Sequence, residues 1–88
     1  MPFYGYVVKV GNIPGDATVH DLARMFASCG PLWNASIHTN PSPTRPGHGT
    51  VEFKTDQAAE NAIRDMNGAV MNGRVLSVAK NKYYGYEN

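Results

Sequence analysis

A single cysteine, Cys29, stands among the 88 residues. A disulfide framework needs pairs of cysteines and a zinc knuckle needs several spaced ligands, so both are excluded and a reducing compartment is the default expectation. Charge of one sign is also missing. Eight Lys and Arg against seven Asp and Glu leave a formal net charge of +1. That balance excludes a polybasic arm, an acidic tail or a histone-like polyelectrolyte, and any contact with nucleic acid has to be local. No apolar run approaches the ~18–20 residues of a spanning helix, so no membrane association is expected. Met1 to Val10 lacks the charged start and apolar stretch of a signal peptide. A nuclear or cytoplasmic location is expected, and an organellar protein with its transit peptide removed would read the same. Large aliphatics are scarce: 3 Leu and 3 Ile against 9 Ala. The core is therefore expected to be thin, which suits one sheet covered on one face. A chain of this length is one small domain burying only ~60–65% of its unfolded surface, too little for a large enzyme with a deep, enclosed site.

Gly and Pro fall between short segments as punctuation, with no internal period. Tyr6 to Gly11 is β-branched and strand-length, and Asn12-Ile13-Pro14-Gly15-Asp16 supplies turn chemistry after it. Val19 to Ser28 predicts a helix, with Leu22, Met25, Phe26 and Cys29 on one stripe. Thr18 and Asp21 form a weak capping box at its start, and Gly30 with Pro31 stops it. Leu32 to His38 is a second strand, followed by a loop of three X-Pro steps up to Gly47. Gly49 to Lys54 alternates as a third strand. Thr55 caps a second helix, Asp56 to Met66, whose stripe is Ala59, Ala62, Ile63 and Met66. After turns at Asn67-Gly68 and Asn72-Gly73, Arg74 to Ala79 reads as a fourth strand with Leu76 and Val78 inward.

The order β-α-β-β-α-β with right-handed crossovers predicts an α+β, ferredoxin-like sandwich: a four-stranded antiparallel sheet in the order 4-1-3-2 with both helices on one face. The other face stays open, and on so small a protein it is the natural place for binding. The expected division is an N-terminal extension over 1–6, the domain over 7–80 and a Tyr-rich tail over 81–88.

Over about residues 7 to 80 the chain resembles the RNA recognition motif family. Val8-Lys9-Val10-Gly11-Asn12-Ile13 stands where that family carries its hexamer, and Pro46-Gly47-His48-Gly49-Thr50-Val51-Glu52-Phe53 where it carries its octamer. Asp21-Leu22, Phe26, Gly30, Ala59, Ala62-Ile63, Asn67-Gly68 and Gly73-Arg74 with Leu76 and Val78 also fall at the family's spacing. The resemblance implies base-stacking aromatics at the second hexamer and the third and fifth octamer positions. Here those positions hold Lys9, His48 and Thr50. Alternation places them, with Glu52, away from the helices, because Val8, Val10, Val51 and Phe53 share the inward parity. The scaffold is kept and the stacking platform is largely replaced.

The resemblance implies a noncatalytic module engaging single-stranded RNA weakly across Lys9, His48, Thr50, Ser77 and Tyr83, with Arg45, Lys80 and Lys82 holding phosphates. All five tyrosines lie at the two ends, at 4, 6, 83, 84 and 86. Binding and simple covering of a sheet edge both remain open for them. Trp33 is equally open between buried edge packing and an outward ring, since Leu32, Ala35 and Ile37 cannot share a parity without a bulge. His38 and His48 flank one hairpin and can face each other, so a metal pair, a pH switch and plain solvated histidines are the open readings; two imidazoles make a poor zinc site, and no cofactor is expected. The alternative function is an adaptor for a protein partner in a ribonucleoprotein complex, on the same monomeric scaffold. Members that grip a tryptophan-bearing peptide carry Arg-x-Phe where this chain has Ala69-Val70-Met71. No triad, paired catalytic carboxylates or P-loop is legible, so an enzyme is not expected.

Overall fold

The computed structural model describes residues 5–38 and 46–81. Strand β1 (Tyr6–Ile13) leads to helix α1 (Val19–Phe26), and a 3-10 turn (Ala27–Cys29) leads into β2 (Leu32–Ile37). Then come β3 (Gly47–Phe53), α2 (Asp56–Met66), the two-residue strands β4 (Val70–Met71) and β5 (Arg74–Val75), and β6 (Ser77–Lys80). The main sheet runs β2-β3-β1-β6, every pair antiparallel. That is the expected order, with β6 in the place of the fourth strand.

Local chemistry sets the helix starts. Thr18 accepts from the Asp21 N–H at 3.1 Å, and the Asp21 carboxylate accepts from the Thr18 N–H at 3.1 Å, a complete capping box. Thr55 caps α2 by accepting from the Ala58 N–H at 3.1 Å. The Thr18 bonds hold the Asp21 carboxyl below its ordinary range, the backbone bond first. A lowered carboxyl stabilises the fold above the ordinary carboxylate range, and that contribution is lost as the pH falls through its lowered value. D21N should therefore lower the urea midpoint at pH 7 and lose its difference from wild type as the pH falls through the lowered carboxyl value. Thr18→Ala should cost about 1 kcal/mol in the same measurement.

Inward side chains of the sheet meet the helices in one core. Val8, Val10, Ile13, Leu22, Phe26, Val51, Phe53, Leu76 and Val78 are buried, together with Ala58, Ala59 and Ala62 of α2. The alanines let α2 lie close to the sheet, so a core poor in Leu and Ile still closes. Its bulk comes from Phe26 and Phe53, whose rings lie 6.5 Å apart.

Several boundaries differ from expectation, β3 among them, which starts at Gly47 rather than Gly49 and ends at Phe53. β1 continues through Ile13, taking in Asn12 and Ile13, the first two residues read as a turn, because the pairing with β3 shifts register between Val10 and Ile13. Asn12 takes φ of 62° there, a conformation Asn tolerates better than most residues. α1 closes at Phe26, and its last turn tightens to 3-10. The expected strand from Arg74 to Ala79 is two pieces. β5 folds back on β4 around Asn72-Gly73, and Leu76 leaves the sheet to exchange bonds with Gly68 and Ala69. Leu76 and Val78 still point inward, as expected.

Candidate nucleic-acid interface

The face of the sheet opposite the helices carries a shallow trough of about 680 Å3, lined by Lys9, Val10, Gly11, His38, His48, Gly49, Thr50, Ser77, Ala79 and Asn81. Pairing explains this set. Lys9 lies between Thr50 of β3 and Ala79 of β6, and Gly11 lies opposite Ser77. A side chain at Gly11 would press on the Ser77 hydroxyl, so the glycine keeps this end of the trough open. At Gly49 a Cβ would collide with the Ser36 carbonyl, so the close approach of β2 to β3 depends on glycine at that octamer position.

Four of the residues expected at the site, Lys9, His48, Thr50 and Ser77, therefore share one surface. Lys9, His48 and Ser77 are exposed and Thr50 is half-buried. Lys80 is placed differently. It pairs with inward-facing Val8, and its ammonium lies 3.3 Å from Glu60 of α2, so it sits toward the helix side of the sheet edge. Arg45, Lys82 and Tyr83 lie outside the described residues, as do Tyr4, Tyr84 and Tyr86. Tyr6 is partly buried and packs against the core.

His38 belongs to the trough although it was not expected at the site. The bulge near Trp33, a register shift between Leu32 and Asn34, resets the parity of β2 so that Ala35 and Ile37 pack against the core. His38, one step beyond Ile37, then falls on the open side. Its N–H donates to the His48 carbonyl at 2.9 Å, the two rings are 6.4 Å apart, and His38 Nε2 is 3.0 Å from Thr50 Oγ1. The signal was in the sequence, in the count from the bulge to the strand end. Trp33 itself is 67% exposed with Lys54 Nζ 4.7 Å from its ring centroid, so the buried alternative falls away; it does not line the trough.

Other polar groups are structural. Arg74 donates to Asn12 Oδ1 at 3.1 Å, and Asn12 donates to the Val75 carbonyl at 2.8 Å. Together they pin the β4–β5 hairpin to the bulge of β1. Arg64 is held by Asp65 and Asn61. Cys29 is buried, and burial pushes its thiol up, away from the reactive thiolate. Among the described residues no three His, Cys, Asp or Glu side chains group as metal ligands, and no helix is long and apolar enough to cross a membrane.

Comparison with known proteins agrees with this geometry. The RNA recognition motif family model matches residues 8–77. Mouse myelin expression factor 2 is 36% identical over 74 residues, covering 84% of this chain and 12% of that protein. Human cleavage stimulation factor subunit 2 is 35% identical over 72 residues, covering 81% of this chain and 12% of that protein. The chain thus spans about an eighth of the length of these relatives. A solved structure of the Rna15 motif with bound RNA (GU) superposes with a TM-score of 0.77 at 26% identity, covering 89% of this chain and 84% of that one.

Proposed function

Because the chain belongs to the RNA recognition motif family, we propose that it is a noncatalytic module that engages single-stranded RNA weakly on its open sheet face. The observation that carries this is the trough itself. Its lining brings Lys9, His48, Thr50 and Ser77 together on the face the helices leave free. A cation, two hydroxyls and an imidazole give contacts to phosphates and to the edges of unstacked bases. Arg45, Lys82 and Tyr83 complete the proposed site from the loop and tail, and Lys80 contributes at its margin, where it is shared with Glu60.

Weak binding follows from the side chains present. Stacking contributes ~1–3 kcal/mol per base, and two or three missing platform rings forfeit ~3–6 kcal/mol, about 10²–10⁴ in affinity. With roughly three or four phosphate contacts, log Kobs against log salt should fall with a slope of about −2 to −3 for a single strand. Lys9→Ala should weaken binding to all sequences alike and flatten that slope by about 0.7. The test is an NMR titration with single-stranded RNA. Shifts centred on Lys9, His48, Thr50 and Ser77 are expected. Shifts confined to α1 and α2, or none at all, would overturn this reading and favour an adaptor for a protein partner.

A further inference from the structure

Two imidazoles stand side by side where the family pattern calls for a stacking ring. Their planes are tilted by 42° at 6.4 Å, which leaves no parallel slot for a base between them. They form instead a tilted ring contact of the sort aromatic groups prefer. His38 Nε2 is also bound to Thr50 Oγ1 at 3.0 Å. A neutral imidazole nitrogen can accept from that hydroxyl or donate to it, whereas a protonated imidazole can only donate. Protonation of His38 therefore obliges Thr50 to accept and frees the Thr50 O–H to donate elsewhere.

The surroundings favour an anion. From β1 the trough receives the Lys9 ammonium. From β3 it receives His48, and Glu52 lies two residues beyond Thr50 on the same parity, opposite Asn34 and Val7. The outward row of β2 adds Asn34 and Ser36, which do not titrate, and β6 adds Ser77 and Ala79 while Lys80 pairs with Glu60. Once the imidazoles are charged, this end of the trough presents the Thr50 hydroxyl, two imidazolium groups and an ammonium, all donors.

We infer that His38, His48 and Thr50 form a station for a backbone phosphodiester on the RNA-binding face, one that fills as the imidazoles take up protons. This rests on the RNA reading above and adds His38 and a ligand class to it. Imidazoles titrate between about pH 5 and 8, whereas a phosphodiester stays anionic throughout. An anion bound against them favours their charged form, so by linkage RNA affinity rises as the pH falls.

The test is a binding titration of the full chain with an oligouridylate carrying a pH-insensitive dye, at constant ionic strength. Uridine has no group that titrates in this interval. The Kd should fall about five- to tenfold from pH 7.5 to pH 5.5. H38Q and H48Q should each flatten the dependence, T50V should remove part of it, and the double variant H38Q/H48Q should bind equally at both pH values. These side chains lie on an open face, and amide spectra will show that the variants stay folded. A methylphosphonate backbone should abolish the pH dependence. RNA binding that does not change with pH, or a dependence that survives in the double variant or on the neutral backbone, overturns this inference and leaves the RNA reading standing. No binding of any oligonucleotide at either pH overturns both.

Discussion

Replacing Lys9 with Tyr and Thr50 with Phe in one chain should raise affinity for single-stranded RNA by about 30-fold to 10⁴-fold. The two positions are direct partners across β1 and β3 and face the same trough. Two rings there would rebuild a continuous platform, and each stacked base contributes ~1–3 kcal/mol. The change removes one cation, so the salt slope should flatten by about 0.7 even as binding tightens, a combination that separates stacking from charge. Stability should change little, since a cross-strand aromatic pair contributes roughly 0.2–1 kcal/mol. Calorimetry or anisotropy against one oligonucleotide checks the prediction. A gain below tenfold would mean that bases do not lie over these strands.

The other large effect is on the fold. Phe53→Ala should cost about 3–5 kcal/mol, the usual range for deleting a buried aromatic ring. Phe53 is fully buried, pairs with both Tyr6 and Leu32, and packs against Phe26. A domain of this size has roughly 4–13 kcal/mol to lose, and each kcal/mol moves its midpoint by about 4–8 °C, so thermal unfolding should drop by about 12–40 °C. Few large side chains share the load in a core built on Ala58, Ala59 and Ala62, which makes each of them costly to remove. A drop under 5 °C would show that the sheet and helices hold together without this ring.

Short-range rules account for what was legible beforehand. The Thr18 and Thr55 caps are contacts three residues apart, and a stripe such as Leu22 and Phe26 repeats within one helix. Inward and outward parity follows from alternation, which by itself puts Lys9, His48 and Thr50 on the open face. The family hexamer and octamer added the identity of the scaffold. Residues whose role depends on distant partners were harder. The role of Arg74 depends on its acceptor, Asn12, which lies 62 residues away in the chain. The Lys80 contact with Glu60 of α2, 20 residues earlier in the chain, is likewise nothing that its sequence neighbours point to.

Element order and inward faces thus follow from neighbours along the chain, since helix and strand periods are local properties of the backbone. Where β1 and β2 bulge, where the last strand breaks at Leu76, and which imidazole meets which hydroxyl were settled only when distant strands came into register. Backbone hydrogen bonds between segments tens of residues apart decide those points, and no period of a single segment encodes them.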